Sequence, residues 1–186
     1  IIRWLLILVG TNGILARGVL ELLPAITDII FNGDSAEFAI FTSAAGAGAV
    51  IASIVVTRSQ DPSRLLRLAP MAALGSSVLL FVLGMTDTYW VGVIVVAGLG
   101  GCCTLCGISV QALLQLEVED EFRGRVLGLW GVFAIGATAT GGFIMGGVAR
   151  ATSISMTAVG ASMLLSVFAL LLGVTLVRGQ KQRQQD

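Results

Sequence analysis

Charged residues punctuate an otherwise apolar chain. Charge-free runs cover 38–57, 68–86, 88–116, 126–149 and 151–177. Each approaches or exceeds the roughly 20 residues a helix needs to cross about 30 Å of hydrocarbon. A sixth span, 4–29, follows if Arg17 and Glu21 are tolerated inside it. In lipid the backbone must satisfy its own hydrogen bonds, so all six are expected to be helices. Their expected bounds are about 4–29, 36–57, 65–85, 89–116, 124–149 and 152–177. The connectors are short: Phe31–Glu37, Arg58–Arg64, Thr86–Thr88, Glu117–Arg123 and Arg150–Ser153. Pro62 stands where a helix should start, as Pro prefers. No linker divides the chain, so residues 1–177 are expected to form one six-helix transmembrane bundle. The polar, Gln-rich stretch 178–186 is expected to be a frayed cytoplasmic tail.

The basic residues orient this topology. Six spans put both ends on one side. That side collects Arg3, Arg58, Arg64, Arg67, Arg123, Arg125, Arg178, Lys181 and Arg183, whereas the other collects only Arg150. Both termini are therefore expected in the cytoplasm. Trp4 is expected to anchor the inner interface, and Tyr89 with Trp90 the outer one.

Composition agrees. Of 186 residues, 56% are hydrophobic and 12% charged, with a mean hydropathy of +0.96. Soluble domains carry about a quarter charged residues, which excludes two soluble domains, a nucleic-acid binder and a disordered chain. The lack of polar alternation and the many glycines argue against an outer-membrane barrel. Net charge is zero, so no global field recruits nucleic acid. The chain has no His, which removes Ser-His-Asp, Cys-His and His-ligated zinc or haem chemistry from it. It has no phosphate-binding Gly-x-x-x-x-Gly-Lys stretch either. No enzyme activity, cofactor or metal is expected. Cys102, Cys103 and Cys106 share one apolar run and read as small packing residues. The chain opens on Ile1-Ile2-Arg3 rather than Met, and is expected to be a piece of a longer protein.

Three groups of residues could carry function. Arg17 and Glu21 stand four apart, so they share a helix face and can pair. Counting from Trp4, Arg17 lies about 20 Å into the membrane, where an unpaired charge costs at least about 2.5–3.5 kcal/mol. With Asn12 before them and Pro24 after, they mark a helix bent or broken at mid-membrane, where transporters hold substrates. Gln111, deep in the fourth span, is either substrate contact or helix-to-helix glue. Third is the connector into the fifth span. Asp120 is the expected N-cap there, within reach of Arg123, and Asp120, Arg123 and Arg125 together suggest a cytoplasmic gate of ion pairs. Along the fifth span, Gly124/Gly128 and Gly142/Gly146 are expected to be close-packing pairs.

That connector also carries a resemblance. Gln115, Val118, Asp120, Glu121, Arg123, Gly124, Arg125 and Val126 match the Gln-x-x-Val-Pro-Asp-Glu-x-Arg-Gly-Arg-Val loop between helices ten and eleven of major facilitator transporters. Glu119 replaces the Pro. The stretch from Arg17 to Pro24 resembles the family's seventh helix. The glycine pattern resembles its eleventh, with Ala139 where Pro is common. The likeness is strongest to the branch of enterobactin exporters and transmembrane secretion effectors. It implies an all-α integral membrane fold comprising the C-terminal six helices of twelve, with the N-terminal six-helix half as missing partner. It further implies proton-driven efflux of small molecules, of the drug or siderophore class, across a bacterial inner membrane. The alternative is a membrane assembly subunit that transports nothing. An intramembrane protease is excluded by the lack of His and of paired Asp at depth.

Overall fold

The computed structural model describes residues 2–57 and 61–183. All described elements are helical: α1 (Ile2–Asn12), a π-helical turn (Gly13–Arg17), α2 (Gly18–Leu20), α3 (Leu23–Phe31), α4 (Ser35–Thr57), α5 (Pro62–Met85), α6 (Tyr89–Glu117), α7 (Asp120–Ala151) and α8 (Ile154–Arg183). Six helices are long and apolar enough to cross a membrane, the first of them running over Ile2–Leu20.

The first span is not the single helix expected over 4–29. Pro24 has no N–H to give the carbonyl one turn back. The chain therefore tightens at Glu21 and Leu22, where the Leu22 N–H donates to the Val19 carbonyl at 3.0 Å. A new helix then starts with Pro24 in its first turn. It ends at Asn32, which adopts the left-handed conformation at φ 49°. The Gly33 N–H closes that end by donating to the Thr27 carbonyl at 3.0 Å.

The next helix begins at once. The Ala36 N–H donates to the Asp34 carboxylate at 2.6 Å, and the Asp34 N–H donates to the Glu37 carboxylate at 2.9 Å. This reciprocal cap satisfies two donors that a helix start leaves open. The hydrogen bond with the Glu37 side chain, and then the Ala36 N–H, hold the exposed Asp34 carboxyl below its ordinary value. Its capping contribution is therefore present at neutral pH and is lost as pH falls through that lowered value.

At the start of α5 the Asp61 side chain accepts from the Ser63 N–H at 3.0 Å, with Pro62 at the first helical position. The helix thus begins three residues before the expected 65. Two other bounds also differ. The helix of the fifth span starts at Asp120, with Glu119 rather than Asp120 at the cap and no side-chain cap bond. Helix α8 continues to Arg183 instead of fraying from 178. The expected connector around Ser59 lies partly outside the described residues.

The core forms two layers along the bundle. One gathers Leu5, Leu8, Leu65, Leu66, Leu113, Leu114 and Leu172. The other gathers Val19, Ile26, Phe41, Leu80, Leu83, Leu99 and Leu165. Helix α5 is gripped between α6 and α8, with Ser77 and Ser166 sharing a hydrogen bond at 2.5 Å across the α8 side. Helix α4 packs on α6 at backbone distance. Tyr89 is half-buried. Its ring meets Phe41 edge-on at 5.4 Å and Phe31 at 6.1 Å. Trp90 and Trp4 stay exposed.

Candidate functional site

The broken first span builds the site. An α-helix turns about 100° per residue, so five residues would carry Arg17 about 140° away from Asn12. In a π turn the N–H of residue i+5, not i+4, bonds the carbonyl of residue i, so each residue turns less and residue i+5 falls nearer the side of residue i. The Gly18 N–H bonds the Gly13 carbonyl in that pattern. The inserted residue brings Asn12, Arg17 and Glu21 onto one side, and all three line the same cavity.

Glycines let helix α7 close over this turn. A β-carbon on Gly18 would stand 2.6 Å from the Gly141 carbonyl carbon, and one on Gly13 would stand 3.0 Å from Ala137 Cβ. A β-carbon on Gly142 would meet Glu21 Cβ at 3.1 Å, and one on Gly10 would meet Phe133 at 3.9 Å. The first span and α7 therefore run side by side in the same direction, from Gly10 beside Phe133 to Glu21 beside Gly142. The expected pairs fare differently. Among the described residues a β-carbon on Gly124 or Gly128 would meet nothing within 4 Å, and one on Gly146 would meet only Leu22, at 3.6 Å. The close contacts on α7 are at Gly142, a member of an expected pair, and at its neighbour Gly141, where a β-carbon would stand 2.7 Å from Ile14 Cα.

The cavity, of about 690 Å³, lies between the first span, α6 and α7. Helix α6 contributes Cys103, Thr104, Gly107 and Ile108, and α7 contributes Trp130, Ala134, Thr138 and Phe143 among others. Its walls are mostly apolar with a few polar groups, the usual make-up of a small-molecule site. Phe143, 85% exposed, stands at its rim.

Three of the four expected pathway residues are thus together. Arg17 and Glu21 are both exposed to the cavity, and among the described residues no ion pair joins them. The expected pairing at four-residue spacing is not formed. Asn12 is 2% exposed, and its side-chain nitrogen has no hydrogen-bond partner among the described residues. Gln111 is half-buried and does not line the cavity. It continues the face of Thr104, Gly107 and Ile108, one turn beyond the cavity's end. Trp130 was missed by the sequence reading, although its indole N–H is buried without a partner and its side chain lines the cavity. The only hint in the sequence is an aromatic residue between Gly128 and Gly131.

Of the expected gate, Arg123 and Arg125 are exposed on the first turns of α7, apart from the cavity. The Asp120 side chain lies outside the described residues. Cys103 and Cys106 are buried in the two core layers. Among the described residues no group of three or more Cys, Asp or Glu comes together as a metal site.

A family model described as transmembrane secretion effector matches residues 2–186. The chain belongs to this family of major facilitator transporters. It is a transporter-family membrane protein and not an enzyme. Among curated proteins it is 25% identical over 170 residues to the enterobactin exporter EntS of Shigella flexneri, covering 91% of this chain and 41% of that protein. The enterobactin exporters EntS of Shigella boydii serotype 18 and Escherichia coli O81 are 24% identical over the same shares. The chain thus spans about two-fifths of the length of these relatives. No solved structure matches it.

Proposed function

We propose that this bundle is the C-terminal half of a secondary transporter that exports small molecules of the drug or siderophore class in exchange for protons. Its place is the bacterial inner membrane, with both ends of the bundle in the cytoplasm. The observation that carries this reading is the cavity in which Arg17, Glu21 and Asn12 stand together on a broken helix. Discontinuous helices supply such midplane sites in transporters built from two repeats, and rocking of one repeat against the other alternates access to them. Ionisable groups at membrane depth ordinarily serve a substrate or proton path. An N-terminal six-helix half supplies the facing wall. Asp120, Arg123 and Arg125 act at the cytoplasmic end as a gate whose ion pairs form in one state and open in the other. Gln111, beyond the cavity, serves as helix-to-helix glue.

Proteoliposomes test the activity. The complete transporter is expected to drive substrate against its gradient under an imposed pH difference, and a protonophore should abolish this. The 186-residue chain alone should transport nothing, since it lacks the facing wall. Uphill flux by the isolated chain, or flux indifferent to the pH gradient, would overturn the reading.

Reporter fusions test the orientation. Fusions at Glu119 and after Arg183 should report cytoplasm, and those at Asn32 and Asp87 the opposite side. Reversed signals at both pairs would show the bundle inverted.

A further inference from the structure

The cavity's polar groups are unequal in kind. The register of the first span against α7 orders them along the cavity as Trp130, Asn12, Arg17 and Glu21. Trp130 can only donate, through its indole N–H. That N–H and the Asn12 side-chain nitrogen are both buried without partners among the described residues. Buried donors are normally satisfied, and leaving one unpaired is costly. Arg17 adds a fork of charged donors that suits carboxylate-like oxygens. The single carboxylate, Glu21, stands at the far end of the row and does not pair with Arg17. Two orphaned donors and an unpaired guanidinium therefore lie together on one stretch of an otherwise apolar wall.

We propose that the cavity takes an amphipathic molecule whose acceptor-rich, anionic end lies against Trp130, Asn12 and Arg17. This rests on reading the cavity as half of the substrate site. The apolar body of the molecule lies along Ile108, Ala134, Ile135 and Phe143. A cationic compound of the same shape would set its charge against the Arg17 guanidinium and the Trp130 N–H, and is disfavoured there. Asn12 is retained at a cost to stability, because its amide becomes satisfied only when the ligand is present.

Matched probes test this in the 186-residue chain, held in phosphatidylcholine nanodiscs. Trp4→Phe and Trp90→Phe leave Trp130 as the only tryptophan. Its fluorescence is followed on titration with 4-biphenylcarboxylate, 4-biphenylmethanol and 4-biphenylmethylammonium. The carboxylate is expected to bind about tenfold tighter than the ammonium, the gain of one charge-assisted hydrogen bond. Arg17→Gln should erase that preference while the alcohol still binds. Asn12→Leu should weaken the carboxylate about threefold or more and raise the melting temperature, because it removes an orphaned donor. The last pairing separates a ligand contact from a structural residue, whose loss would lower both. Equal or reversed ranking of the charged probes, or unchanged carboxylate binding in Asn12→Leu, would overturn the assigned ligand class and leave proton-driven transport standing. Binding of no probe would overturn the assignment of these three donors as a ligand-binding wall.

Discussion

Glu21→Gln in the complete transporter is expected to fold, insert and bind substrate, yet to lose at least about tenfold of its pH-driven efflux. That loss corresponds to about 1.4 kcal/mol in the barrier of the coupled step. What Glu21 touches sets this expectation. It is exposed to the cavity and makes no ion pair with Arg17 among the described residues. Removing one partner of a buried pair strands the other at a cost of about 3–5 kcal/mol, but here no pair is broken. Gln keeps the shape and the hydrogen-bonding carbonyl of Glu, so the close contact of Glu21 Cβ with Gly142 is retained. What Gln loses is the capacity to take up and release a proton. In the proposed exchange the carboxyl is the group that a proton reaches from one side and leaves to the other. Counterflow of substrate without a pH gradient should therefore survive in Glu21→Gln, while gradient-driven efflux falls. Gradient-driven efflux at wild-type rate would remove Glu21 from the proton path. Loss of both activities with normal folding would instead make it a substrate contact.

How much of this was legible in the sequence depended on the length scale. Six membrane helices follow from where the charges fall, because one charge in mid-span costs more than any local propensity repays. The break in the first span was legible in outline from Arg17, Glu21 and Pro24. The π turn was not. One residue inserted over five positions leaves no mark on a periodicity that needs some eleven residues to read, yet it puts Asn12 on the side of Arg17. Gln111 was named for its depth and polarity alone, which do not say where the cavity wall on α6 ends, and it lies one turn beyond Ile108. Trp130 was passed over because an aromatic residue on an apolar helix is unremarkable until its N–H is seen to lack a partner. Helix packing was the least legible. Glycine spacing names residues that would permit a close approach, and only the third dimension decides which are used.

The same substitution at two such glycines should therefore have opposite effects. In helix α4, a β-carbon on Gly48 would collide with the Ala97 carbonyl oxygen and stand 2.8 Å from its carbon. The contact is mutual, since a β-carbon on Gly100 would stand 2.8 Å from Ala45 Cα. Both obstacles are backbone, so no rotamer relieves them and the two helices must part. Helix α4 otherwise touches mainly the short α3, and parting from α6 removes its principal support. Overpacking typically costs about 1–3 kcal/mol. At about 2–4 °C per kcal/mol for a chain of this size, Gly48→Ala should lower the melting temperature by about 2–12 °C. Gly128, on the open face of α7, has nothing within 4 Å. There Ala brings only its better helix propensity, worth about 1 kcal/mol, so Gly128→Ala should raise the melting temperature of the isolated chain slightly. Melting of the two variants in detergent, followed by size-exclusion chromatography of the heated samples, decides the matter. A Gly48→Ala variant as stable as wild type would mean that α4 and α6 do not meet at backbone distance. A Gly128→Ala variant that falls as far as Gly48→Ala would mean that the face of α7 is closed in the bundle itself, and the glycine spacing read from the sequence would have been the better guide.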